Sequence, residues 1–240
     1  MFFRLFKRRS LAEEEQRRFL EQQHQEQKNV CTDEPPHTPS VQKELPPREE
    51  INRRVYVQLL KRYTEYIANM ESKTVSEVKA LINPTDLSLQ SFLLGLLGNL
   101  ENYNPDTDFD TAARKVFEYV RDNISLFENT IGIHFWLYPK DVLECKAGDD
   151  EDQAVFLCSA LRALGDDTAY VCMCELSDST THAFVCTNFK GVFRILDPTQ
   201  NLDYDSYVGT EGDLLQRFTY KGHSISKVLY KFSDLFYEEV

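Results

Sequence analysis

Three short segments hold the residue types best suited to chemistry. Gly148-Asp149-Asp150-Glu151-Asp152-Gln153-Ala154 carries four consecutive acids, His182-Ala183-Phe184-Val185 carries an imidazole, and Leu196-Asp197-Pro198-Thr199 carries a further carboxylate. Carboxylates and an imidazole are the groups that move protons near neutral pH, and they also ligate zinc or iron with positions left open. The four acids equally suit the start of a helix, where free N–H groups and the helix dipole favour negative charge. Which chemistry applies depends on the elements that carry these segments.

The elements read as helices first and strands later. Val55, Leu59, Tyr63 and Ile67 recur at four-residue spacing from Ile51 onward, with Leu60 widening the stripe, and predict one amphipathic helix. Leu87–Leu100 reads as a second, largely buried helix. Phe109, Ala112, Ala113, Val116, Phe117 and Val120 mark a third, ending near Asn123. A fourth runs from Asp150 to Leu164 and is stopped by Gly165. The period then changes: Thr168–Leu176, Ala183–Asn188 and Val192–Leu196 read as strands, with Lys190-Gly191 a turn, and Ser224–Phe232 adds another. This order predicts an α+β domain with an antiparallel sheet. Residues 1–50 differ, with five of the nine prolines and no glycine. They read as a basic, Gln/Glu-rich tail, partly helical after Ser10 and Glu13, and a solvated linker. The expected division is a tail and linker at 1–50, a helical extension at 51–105 and the main domain at 106–240.

The three segments, in this order, resemble the transglutaminase-like (papain-like) superfamily in its short bacterial and archaeal form. That pattern is an aromatic-x-x-Pro segment, here Trp136 to Pro139, then Gly-Asp-Cys-x-Asp opening a helix. A strand with His-Ala-Trp/Phe-Val and a strand ending in Leu-Asp-Pro-Thr follow. The resemblance covers about residues 109–200. It implies a papain-like core with the nucleophile position on Asp150, the imidazole on His182, the orienting carboxylate on Asp197, and Trp136 and Asp149 beside the groove. The departure is the missing thiol. A helix N-terminus and a neighbouring imidazole favour a thiolate, and they favour a carboxylate too, but a carboxylate is a far poorer nucleophile toward an amide. Acyl transfer through a thioester is therefore unavailable at Asp150. A stretch around Leu157-Cys158-Ser159-Ala160-Leu161 and Ala169-Tyr170-Val171-Cys172 also resembles the degenerate transglutaminase-like domains of ciliary and centrosomal proteins.

The expectation that follows is a catalytically inactive domain that binds protein or peptide and needs no cofactor. In it, Asp150 caps the helix and His182 bridges Asp150 to Asp197. Two carboxylates on one imidazole should raise the His182 pKa. The competing expectation is a hydrolase or metal-dependent enzyme in which Asp150, His182 and Asp197 hold a divalent metal. Cys145, Cys158 and Cys186 are the nearest alternative nucleophiles, though each reads as core or loop.

Composition narrows the partners. The chain has 240 residues and a net charge of -12, which disfavours nucleic acid. No apolar run approaches the roughly 20 residues of a membrane span. The start, Met1 to Arg9, mixes Phe2, Phe3, Leu5 and Phe6 with four basic residues and could touch an anionic membrane surface weakly. It turns basic before an apolar signal region forms, so a cytoplasmic protein with reduced, buried cysteines is expected.

Overall fold

The computed structural model describes residues 48–98, 102–128 and 134–240. The chain divides into two units, Met1–Arg48 and Glu49–Val240. The expected tail helix, the linker and the basic start lie outside the described residues, as do positions 99–100 at the expected end of the second helix.

Helices come first. They are α1 Arg48–Glu71, α2 Val75–Lys79, α3 Leu87–Leu97 and α4 Pro105–Asn123. Local chemistry sets their starts. Asp86 accepts the Leu89 N–H ahead of α3, and Asn104 accepts the Asp106 N–H ahead of Pro105 in α4. Then follow β1 Ser125–Leu126, α5 Pro139–Cys145, β2 Ala147–Gly148 and α6 Asp150–Ala163. The rest is β3 Tyr170–Leu176, β4 Thr181–Phe189, β5 Val192–Leu196, β6 Val208–Gly209, α7 Glu211–Arg217, β7 Thr219–Tyr220, β8 His223–Phe232 and β9 Tyr237–Glu239.

The main sheet is antiparallel, in the order β6-β5-β4-β3-β8-β7, with β9 also paired to β8. Its two faces pack differently. Val171, Met173, Ala183 and Val185 join the helical core, while Cys172, Cys174, Phe184 and Cys186 join a second cluster with Leu214 and Phe218. Both faces are covered, so the strands read as nearly continuous apolar runs. Helix α6 lies at the centre. Every residue from Asp152 to Arg162 is buried, which hides the one-sided stripe its sequence suggests.

One expectation changes here. The segment 51–105 is not a separate extension: Leu81, Ile82, Leu89 and Leu93 belong to the same core as α4 and α6. Phe92 meets Phe156 edge-on at 5.4 Å, and the Asn83 N–H donates to Ser159 Oγ at 3.1 Å. Neither α1 nor the short α2 buries a residue of its own. The short helices α2, α5 and α7 escape periodicity because five to seven residues hold too few apolar positions. Gly165 does end α6, at φ 98°, against the Pro105 ring.

Candidate functional site

The site forms where the N-terminus of α6 meets the start of β4. The four acids there take different roles, because each residue on a helix turns by about 100° from the last. Asp149 is the N-cap. Its side chain accepts the Asp152 N–H at 3.0 Å, and the Asp152 carboxylate reaches back to the Asp149 N–H at 3.2 Å. This capping box satisfies two donors that the helix leaves free. Asp152 also accepts the Leu137 N–H at 2.7 Å, which ties the loop before α5 to the helix.

Asp150, the first helical residue, is therefore not the cap that the sequence suggests. Its carboxylate points at β4, accepting the Ala183 N–H at 2.8 Å and lying 2.9 Å from His182 Nδ1. That last contact is close but off the N–H line, since Nδ1 has no aligned hydrogen bond. It acts as a charge contact. The other ring nitrogen, Nε2, lies 2.8 Å from Asp197 Oδ2. Asp197 is held in turn by the Thr199 N–H and hydroxyl at 3.0 and 2.6 Å and by the Gln200 amide at 2.8 Å. The structure thus brings Asp150, His182 and Asp197 together, and His182 is 1% exposed.

Electrostatics follow from this packing. Burial alone would lower the His182 pKa, but bonding and charge from Asp150 and Asp197 override it and lift it to about 9. Burial would raise Asp150, yet His182 and the Ala183 N–H hold it below the usual carboxylate range. Glu151 has no such partner. Burial, then the charges of Asp149, Asp150 and Asp152, push it up to about 8. Burial also raises Asp149 and Asp152, which share the capping box.

With His182 protonated, the imidazole and the two carboxylates form a buried ion triad. Only the doubly protonated ring presents N–H groups to both acids, so it has no lone pair to act as a base. Asp150 and Asp197 sit on opposite ring nitrogens, so the three side chains do not face one point. Among the described residues no group of three or more His, Cys, Asp and Glu is placed to hold a metal ion.

Beside the triad lies a cleft of about 490 Å³, within the range of ligand sites. Its walls include Leu126 and Phe127, the acids Asp149, Asp150 and Glu151, and Tyr220 and Lys221. No cysteine lines it among the described residues. Cys158, Cys172, Cys174 and Cys186 are buried and Cys145 is exposed elsewhere. Burial pushes the Cys158 thiol far up and Cys174 up to about 12, so neither is a latent nucleophile.

Asp149 lines the cleft as expected, whereas Trp136 is not among its lining residues. The Trp136 ring packs against the core, edge-on to Phe232 at 6.1 Å. Sequence reasoning missed Tyr220 and Gln200. The Tyr220 ring stacks on His182 at 3.7 Å and 12°, where it can share the imidazolium charge. Nothing in its spacing marks it, but Gln200 follows directly on the Asp197-Pro198-Thr199 turn.

Gly148 has no room for a side chain. A Cβ there would lie 2.9 Å from the Asp152 Cβ. Gly148→Ala should therefore cost about 1–3 kcal/mol by overpacking and loosen the capping box. Denaturant unfolding checks the cost; an unchanged midpoint would show that Asp152 moves freely.

Comparison with known proteins bears on the same residues. Residues 134–221 match the CEP76 peptidase-like domain family. No curated protein matches the chain. Among solved structures, calcium-bound LapG from Legionella pneumophila is 14% identical, covering 70% of this chain and 88% of its own, with a TM-score of 0.45. The EGTA-treated form of LapG is 15% identical over 70% and 86%, with a TM-score of 0.44. Residues 134–221, which hold the whole charged triad, are thus similar to a peptidase-like domain, within a mixed α+β fold.

Proposed function

We propose that this chain is a catalytically inactive peptidase-like domain that binds protein or peptide in the cleft beside Asp150. The observation that carries this reading is the His182 imidazolium, locked between Asp150 and Asp197 where a thiol chemistry would need a Cys at position 150. The cleft itself persists, with an apolar wall at Leu126 and Phe127 and an acidic wall at Asp149 and Glu151. A groove of this kind suits an extended segment whose backbone and side chains are bound but not cut. The similarity of residues 134–221 to a peptidase-like domain supports a peptide-shaped site.

The test has two arms. The wild-type chain should show no iodoacetamide-sensitive amine incorporation or peptide cleavage. It should bind members of a peptide library with NMR shifts confined to cleft residues such as Phe127, Thr181 and Tyr220. Thiol-dependent turnover, or shifts confined to another face, overturns the reading.

Asp150→Cys supplies a sharper result. The new thiol would sit at a helix N-terminus beside an imidazolium, which lowers a thiol pKa below about 8.5. Alkylation by iodoacetamide at pH 7 should be at least about tenfold faster at this position than at any native cysteine. An inert thiol would mean that position 150 does not stand in for a nucleophile.

A further inference from the structure

Most of the bases that line the cleft already meet a carboxylate of the same cleft. His182 Nδ1 lies 2.9 Å from Asp150, Lys221 Nζ lies 3.2 Å from Glu128, and His223 Nε2 lies 3.5 Å from Asp178. The exposed His134 is the remaining base, and it forms no ion pair among the described residues. Two of the lining acids are left over. Asp149 is committed to the capping box. Glu151 has no hydrogen bond or ion pair among the described residues, and it is half-buried. Asp149, Asp150 and Asp152 crowd it from its own helix, and Tyr230 of β8 is close enough to feel its charge. No group in that shell is a cation. The cleft therefore holds an acid without the partner that would favour its charged form, and with a pKa pushed up to about 8 it keeps a proton at neutral pH. The adjoining wall is apolar, at Leu126 and Phe127.

We infer that the segment bound in this cleft is basic, presenting an arginine or lysine side chain to the carboxylates of Glu151 and Asp149. This rests on the reading of the cleft as a peptide site. The two parts of such a side chain match the two walls. Its methylene stem covers Leu126 and Phe127, and its charged head supplies the cation that the acids lack. A carboxylate shielded from water bonds such a head more strongly than a solvated one does. The head takes the place of the Glu151 proton, which leaves to solvent. An acidic segment meets the same carboxylates and is refused.

A randomised nonapeptide library captured on the full chain at pH 7.5 should return arginine or lysine at one position, at least about tenfold over glutamine. Glu151→Gln should abolish that preference. Glu144→Gln, which neutralises an exposed acid outside the cleft, should keep it. A small probe separates the cation from the peptide. n-Butylguanidinium should shift the Glu151 and Tyr220 amide signals, and its neutral isostere n-butylurea should not. Its binding at pH 7 should release a proton, read by calorimetry in buffers of different ionisation enthalpy, and Glu151→Gln should remove that release. Peptides that bind in the cleft without a basic preference overturn the inference and leave the peptide reading standing. A captured pool with no shared residue overturns the peptide reading and the basic segment together, even where butylguanidinium binds. Butylguanidinium that leaves Glu151 unmoved overturns the cation site itself.

Discussion

Asp197→Ala should destabilise the chain by about 3–5 kcal/mol, the largest effect expected of any single side chain at the site. The carboxylate is 1% exposed and faces an equally buried imidazolium. Removing it leaves His182 with Asp150 alone, through a contact that is off the N–H line. It also strands the Thr199 and Gln200 donors that now bond Asp197. The imidazole should respond by giving up its proton, so the His182 pKa falls from about 9 toward or below the ordinary 6.5. Asp197→Asn keeps an acceptor for the ring and should cost less while lowering the same pKa. Urea unfolding measures the first quantity and NMR titration of the His182 ring the second. A loss under about 1 kcal/mol would mean that the pair is solvated and not buried.

Stability should fall as pH rises from about 4.5 to about 9. The His182 pKa is higher folded than unfolded, so its contribution is complete below 6.5 and is lost as pH climbs through 9. At 1.36 kcal/mol per unit this is on the order of 3 kcal/mol. Glu151 acts in the same direction. An acid whose folded pKa is raised to about 8 binds its proton more tightly in the native state, so its ionisation between 4.5 and 8 opposes folding. Water at the cleft wall screens this cost to on the order of 2 kcal/mol. Asp149 and Asp152, also raised, add to the trend. Asp150 opposes it, as do Asp205 and Glu211 outside the site: their pKa values are lowered, so their contributions are present above the ordinary carboxylate range and lost as pH falls below it. The maximum should therefore lie at mildly acidic pH. Glu151→Gln should flatten the fall between 4.5 and 8 and leave the His182 limb above it. The check is the urea midpoint across pH; a midpoint that is flat or rising from 6.5 to 9 would show that His182 is not held as a cation.

The fold class and the strand order in the chain were legible because each rests on a local pattern, whereas the meeting of His182 with two distant carboxylates was expected only from the resemblance of three separated motifs to a known family. Strands with both faces covered read as apolar runs, and the helix at Asp150 announces itself by its acids and by Gly165. The division at residue 105 was not legible. An amphipathic stripe shows that a helix buries one face, but not whether Leu89 and Leu93 bury it against a separate layer or against Phe156. Trp136 shows a similar ambiguity. A large aromatic beside a site can wall a groove or fill a core, and only the packing of its ring against Phe232 distinguishes the two.

The sequence by itself determined which atoms are present: a carboxylate at position 150, no thiol at that helix start, an imidazole opening a strand and an acid closing the next. That suffices to remove thioester chemistry at this position, because no fold can turn a carboxylate into a thiolate. Only the tertiary structure decided what the four acids at 149–152 do. In sequence they are near equivalents, and any of them could cap the helix. Their directions in space differ by about 100° per residue, so one meets Asp152's N–H, one meets His182, and one is left at the cleft wall without a partner that favours its charged form. The contact from Asp150 to the Ala183 N–H spans 33 positions in the chain, and the Tyr220 ring over His182 comes from farther still. Neither leaves a mark on local spacing, because it is strand pairing and the closing of the two-sided core that bring them together.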